Sequence, residues 1–161
     1  MKIIIIALVI VTLLLLLRFV IAGQLSKKEQ APGVINGQLL PCPDKPNCIN
    51  TEYPESTAHY MPPLDYPAAK TDLLMSLAKN TILEMGGKII NEDNNYLSAT
   101  FTSRVFRFVD DFEIKINSST QKLHIRSASR VGHSDFGINK KRVKNFSHLF
   151  KAKIDERKNP L

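Results

Sequence analysis

The sequence has only two cysteines, Cys42 and Cys48, and no second pair to complete the usual zinc-binding spacing. Its four histidines, His59, His124, His133 and His148, fall on separate segments without the i, i+4 spacing that places two ligands on one helical face, so neither a metal nor any other cofactor is expected. Internal repeats are absent, and so are low-complexity tracts beyond the N-terminal segment. Acidic residues are fewer than basic ones, 15 against 22, for a net charge of +7. Setting aside Lys2 and Arg18 leaves twenty basic against fifteen acidic groups, a net +5, with the excess concentrated toward the C-terminus.

Charge is missing altogether from Ile3 to Leu17, fifteen residues of IIIIALVIVTLLLLL, after which come Arg18 and the apolar FVIAG. A hydrophobic stretch of roughly 20 residues is long enough to cross a bilayer, and an arginine near its end reaches the interface by snorkelling. A cleaved signal peptide is the competing account, since Val20-Ile21-Ala22 before Gly23 suits a cut. The length of the run, its leucine content and the position of Arg18 favour an uncleaved anchor. Positive-inside counting leaves the orientation open, because Lys2 on one side faces Arg18, Lys27 and Lys28 on the other.

Cys42 and Cys48 bracket PDKPN, whose two prolines shorten the reach between the ends. A disulfide is expected there, two free thiols being the other account. Such a bridge constrains the unfolded chain by about 2.4 kcal/mol in the loop-entropy model. A disulfide after an export-type segment points to an oxidising compartment, most simply a bacterial periplasm. For a chain that leaves the cytoplasm nucleic acid is not an expected partner, whereas anionic lipid or an acidic ligand is.

After the apolar segment the chain is polar and then proline-rich, with Pro41, Pro43, Pro46, Pro54, Pro62, Pro63 and Pro67. This arm is expected to wrap the domain rather than enter its core, touching down at Leu39, Leu40, Tyr60, Met61 and Leu64. A helix is predicted from about Ala68 to Met85, with Leu74, Leu77, Ala78, Thr81, Ile82 and Met85 on one face and Gly86-Gly87 ending it. The period then changes to two. KIIN is a short strand, and YLSATFTSR alternates Leu97, Ala99 and Phe101 against Tyr96, Ser98, Thr100 and Thr102. That run is expected to continue through VFRFV with a bulge or bend near Arg104.

DDFEIKIN and QKLHIRSA follow, and their apolar faces match only if Ile116 lies opposite Leu123 and Ile114 opposite Ile125. This register sets Glu113 across from Arg126. A last helix is predicted from about Ile138 to Asp155, with Ile138, Phe146, Leu149, Phe150 and Ile154 as its buried stripe. The predicted fold is α+β, a four-stranded antiparallel meander with an N-terminal and a C-terminal helix on one face, preceded by a transmembrane helix and a Pro-rich arm. Residues 1–23 are assigned to the anchor or signal segment, 24–40 to a linker, and 41–161 to one domain whose residues 41–67 form the disulfide-bearing arm.

Three segments, PCPDKPNCIN, RFVDDFEIKI and IRSASRVGHSDFGINKKRV, carry a resemblance. Their combination of C-x5-C with RSASR-x-G-x-SDFG-x-N resembles the bacterial and plastid family known as domain of unknown function 1499, over about residues 41 to 150. The resemblance implies an exported or membrane-attached domain without an established reaction, cofactor or substrate, and supplies no catalytic residue. His133 occupies a position associated with tyrosine in that family, which makes it a poor candidate for an essential proton transfer.

The concentrated polar constellation is Arg126, Arg130, His133 and Asp135, joined by Asp110 and Asp111 from the preceding strand. The plain structural account pairs these arginines and aspartates internally and uses Asp135 to cap the last helix. The functional account leaves an arginine fork free for a carboxylate or phosphate. His133, Ser134 and Asp135 carry the letters of a catalytic triad, but successive residues point apart. The expected function is therefore a non-enzymatic binding or interaction domain, anchored in a bacterial inner membrane with the domain in the periplasm, or exported there if the signal is cleaved. Its expected partners are the membrane, through the N-terminal helix, and an anionic ligand, lipid headgroup or envelope protein. A hydrolase using the Ser129–Asp135 segment and a purely structural envelope component are the alternatives.

Overall fold

The computed structural model describes residues 1–67 and 70–158. Helix α1 covers Lys2–Ser26, is long and apolar enough to cross a membrane, and leaves its apolar side chains exposed along most of its length. It runs three residues past Gly23, the expected end. A two-residue hairpin follows, β1 (Val34–Ile35) with β2 (Gln38–Leu39), turning at Asn36 and Gly37, which both have positive φ as a tight hairpin turn requires.

The main sheet is antiparallel and α+β in its setting. It consists of β3 (Cys48–Asn50), β4 (Leu64–Asp65), β5 (Lys88–Glu92), β6 (Tyr96–Thr102), β7 (Val109–Asn117) and β8 (Lys122–Ser129). Helices α2 (Thr71–Glu84) and α3 (Ile138–Lys158) pack on one face of it. The start expected for α2 at Ala68 lies outside the described residues.

The four-stranded meander β5 to β8 forms as expected, but the sheet has six strands because the Pro-rich arm adds two. β3 and β4 pair in succession along the free edge of β8, with Cys48 opposite Ala128 and Leu64 opposite Leu123. The arm does not merely wrap the domain, since its Ile49, Leu64 and Tyr66 belong to the core. Its prolines flank these short pairings rather than interrupt them, and an edge tolerates the lost donors.

The β7–β8 hairpin has the expected register, Ile114 opposite Ile125, Ile116 opposite Leu123 and Glu113 opposite Arg126. Strand alternation sends Leu97, Ala99, Phe112, Ile114, Ile116, Leu123 and Ile125 toward the helices, where they meet Leu74, Leu77, Ile82, Phe146 and Phe150. Two expectations are corrected. The strand does not run on through VFRFV with a bend: β6 ends at Thr102, residues 103–108 form a loop with Arg107 at φ 60°, and Phe106 and Phe108 pack with Phe19 of α1. In α3 the buried stripe is Val143, Phe146, Phe150 and Ile154, while Ile138 is 50% exposed and Leu149 half-buried. Ile138 lies five residues before Val143, off the stripe, and the inward position one turn before Val143 belongs to the buried Asn139.

Cys42 and Cys48 form a disulfide that closes the turn before β3. Denatured, unreduced protein should therefore show no alkylatable thiol by intact mass, and Cys42→Ser/Cys48→Ser should lower the unfolding free energy by about 2 kcal/mol. Labelling of both cysteines in the native chain would contradict the fold of the arm.

Candidate functional site

The face of the sheet turned away from the helices is polar and nevertheless largely covered. Residues 26–40 and 51–53 lie over it, and strand alternation places Tyr96, Ser98, Asp111, Glu113, Lys115, His124, Arg126 and Arg130 beneath them. Glu113 is fully buried and accepts hydrogen bonds from Arg126 Nη1 at 2.8 Å, Tyr96 Oη at 2.8 Å and the Gly33 amide at 2.9 Å. Lys115 Nζ donates to the Gly37 carbonyl and to Glu52, whose other oxygen accepts the Leu39 amide. The chain from Gly33 to Leu39 is thus stitched down by its own backbone to Glu113 and Lys115 of β7 and to Glu52. Burial and the neighbouring Glu113 carboxylate push the Tyr96 phenol far above its ordinary range, so it stays a donor.

The six residues of the polar constellation do not share one surface. Asp110 and Asp111 are consecutive on β7 and point to opposite faces. Asp110 meets Arg142 of α3 at 2.8 Å on the helix side, where that guanidinium also lies 4.7 Å over the Phe101 ring. Asp111 takes a forked contact from Arg130, with Nε 3.0 Å from both carboxylate oxygens and Nη2 2.6 Å from one. Arg130 Nη1 donates to the Ser26 carbonyl, the end of α1, at 3.1 Å. Arg126 is sealed against Glu113, and its Nε is buried with no partner among the described residues.

Asp135 caps α3, its carboxylate accepting the Gly137 and Asn139 amides at 2.9 and 2.6 Å. His133 lies in an exposed loop. Ser129 Oγ accepts from Asn139 and Ser134 Oγ from the Phe136 amide, so neither hydroxyl is held against His133 among the described residues. Asn139 and Arg142 complete a buried polar cluster with Ser127 on the helix side, which no pattern in the sequence singled out.

Two concave regions flank these pairs. One, of about 440 Å³, lies between the disulfide loop and the start of α3, with Lys45, His59, His133, Asp135 and Lys140 on its walls. The other, of about 790 Å³, runs over the outer face of β5 and β6 beside the end of α1. Ser98, Thr100 and Thr102 form its hydroxyl-bearing floor, with Lys27, Lys88 and Arg107 around it and the Arg130–Asp111 pair at one end. With that pair set aside, the three cations face one carboxylate, Glu29. Lys27 bonds the neutral Gln24 side chain, and Lys88 and Arg107 have no acidic partner among the described residues.

A family model described as protein of unknown function (DUF1499) matches residues 38–150. The chain belongs to this family. No curated protein matches the chain. The DUF1499 match starts at β2 and ends within α3, so α1 and Gly33 lie outside it. Arg130 and Glu113, both inside it, nevertheless bond to Ser26 and Gly33, which joins the DUF1499 sheet to the segment that precedes it.

Arg130→Ala strands the Asp111 carboxylate in a buried site and should lower stability by about 3–5 kcal/mol, with Arg130→Ala/Asp111→Ala recovering part of it. Urea unfolding of the three proteins measures this, and an unchanged midpoint for Arg130→Ala would refute the pairing. His124 sits near Thr51, Glu52 and Lys115. Burial holds its pKa below the ordinary histidine value, Glu52 opposing the shift and Lys115 adding to it. The folded state thus binds this proton less tightly than the unfolded one, so the contribution is complete above about pH 6.5 and lost as pH falls through the lower folded value. Urea midpoints at pH 7.5 and 5 should therefore fall further apart for wild type than for His124→Asn, and equal falls would contradict it.

Proposed function

We propose that this DUF1499 protein is a membrane-anchored, non-enzymatic binding domain on the periplasmic side of a bacterial inner membrane, and that the groove over β5 and β6 holds a small anionic ligand. One observation carries the reading: Lys27, Lys88 and Arg107 surround a floor of hydroxyls without acidic partners, while the arginines of the RSASR segment are already paired with Asp111 and Glu113. Cations at a partly enclosed surface attract a phosphate or carboxylate, and hydroxyls orient its remaining oxygens. Of the polar constellation, the Arg130–Asp111 pair closes one end of the groove; the binding charges are its neighbours.

The anchor reading draws on the contacts of α1. Its Ser26 hydroxyl accepts the Val109 amide at 3.0 Å, and the Phe19 ring packs at a tilt against Phe106, 5.1 Å between centroids. Gly23 lies so close to the loop that a Cβ there would fall 1.9 Å from the Phe106 carbonyl oxygen. A segment destined for removal after Ala22 has no use for a fitted contact at Phe19. The disulfide supports the oxidising side of the membrane.

The binding test uses the full chain in detergent, titrated with inorganic phosphate at constant ionic strength and followed by amide NMR. Shifts should concentrate at Ser98, Thr100 and Lys88, and Lys88→Gln/Arg107→Asn should weaken binding about tenfold, or 1.4 kcal/mol. Asn at 107 accepts the positive φ, so the thermal midpoint should stay. Equal phosphate binding by wild type and variant, or none by either, would remove the groove from consideration.

A further inference from the structure

The β6–β7 loop, SRVFRF at 103–108, is built unlike the other turns of the sheet. Its ends are closed by hydrogen bonds from the Ser103 amide to the Phe108 carbonyl and from the Phe108 amide to Ser103 Oγ, at 2.8 and 2.9 Å, so the polar backbone at its base is satisfied internally. Its tip projects Val105, which is 78% exposed, between the exposed Arg104 and Arg107. Two aromatic rings from the loop, Phe106 and Phe108, lie 5.1 and 6.4 Å from Phe19 of α1.

That contact fixes a depth. A helix needs about 20 residues to cross a hydrocarbon layer about 30 Å thick. Counted from Ile3, the boundary falls near Ala22, and Phe19 lies about 4.5 Å further in at 1.5 Å per residue. Whatever ring packs on Phe19 is carried to the acyl boundary, and Arg18 and Arg104 are carried to the phosphate layer beside it. Apolar tips flanked by cations are what an anionic interface accommodates, whereas the same tip in water leaves Val105 uncompensated.

We propose that the 103–108 loop is an interfacial membrane anchor, a second attachment that enters the same bilayer as α1, with Val105 in the acyl boundary and Arg104 on lipid phosphates. This rests on the reading of α1 as a membrane-spanning helix. Together the helix and the loop fix the tilt of the domain, with the β7–β8 turn held about 30 Å away at the far end of nine-residue β7.

The chain contains no tryptophan, so single-tryptophan reporters are clean. The full chain is reconstituted into vesicles of phosphatidylcholine and phosphatidylglycerol whose acyl chains carry bromine at a shallow position. Three variants are compared: Val105→Trp, Thr120→Trp in the exposed β7–β8 turn, and Leu13→Trp within α1, the last read with bromine placed deep. Val105→Trp and Leu13→Trp should emit to the blue and lose most of their intensity, while Thr120→Trp keeps its own. Quenching at Leu13 without quenching at Val105 would overturn the loop anchor and leave the spanning helix in place. Quenching at Thr120 equal to that at Val105 would overturn it too, since the domain would then lie on the lipid without a preferred end. No quenching at Leu13 would overturn the spanning reading and the loop anchor with it.

Discussion

A layer of ion pairs on the outer face of the sheet is the constraint on which the rest of this structure depends. Glu113 with Arg126, Asp111 with Arg130 and Lys115 with Glu52 are all buried, although they lie on the face without helices. Charges in such a position are tolerable only when each carboxylate is matched, because a lone buried carboxylate costs several kcal/mol. The matching groups come largely from outside the meander, namely the Gly33 and Leu39 amides, the Gly37 carbonyl, the Glu52 side chain and the Ser26 carbonyl. The arm is held because the sheet requires it, and the sheet keeps its charges because the arm is there.

This reciprocity explains why a proline-rich segment with little regular structure is so well placed. Its two short strands along β8 contribute few ladder bonds, but the disulfide shortens the loop that delivers β3, and Asn47 and Asn50 tie that delivery to α3 and to Leu40. The same logic reaches the N-terminal helix. Arg130 bridges Asp111 and the carbonyl of Ser26, so the last turn of α1 is bound to the sheet instead of trailing from a free linker. The groove beside that junction is thereby held at a fixed position relative to the end of α1.

The two faces of one strand divide the labour. Asp110 and Asp111, adjacent in sequence, serve α3 and α1 respectively, one through Arg142 and the other through Arg130. The arginines that stood out in the sequence are structural partners in this arrangement. The cations of the groove are less conspicuous ones, Lys88 at the start of an edge strand and Arg107 in a loop. Neither has an acidic partner among the described residues.

Much of the scaffold was legible from the residue pattern alone. The apolar run of α1, the helical period of α2 and the alternation of β7 and β8 are local signals, and the hairpin register followed because a one-residue slip would expose a whole apolar face. The disulfide was legible from a short loop with its prolines. The fate of the arm, the end of β6 at Thr102 and the burial of Asn139 were not, because each depends on what a distant segment offers. The identity of the partner of each charge was likewise decided by tertiary structure, except for Glu113 with Arg126, which cross-strand register dictates. Sequence by itself determined the helices and the four strands of the meander, since those follow from periods of 3.6 and 2. Only the folded chain decided which charges are matched and which remain open, since an ion pair forms between residues that the sheet, and not the chain order, brings together.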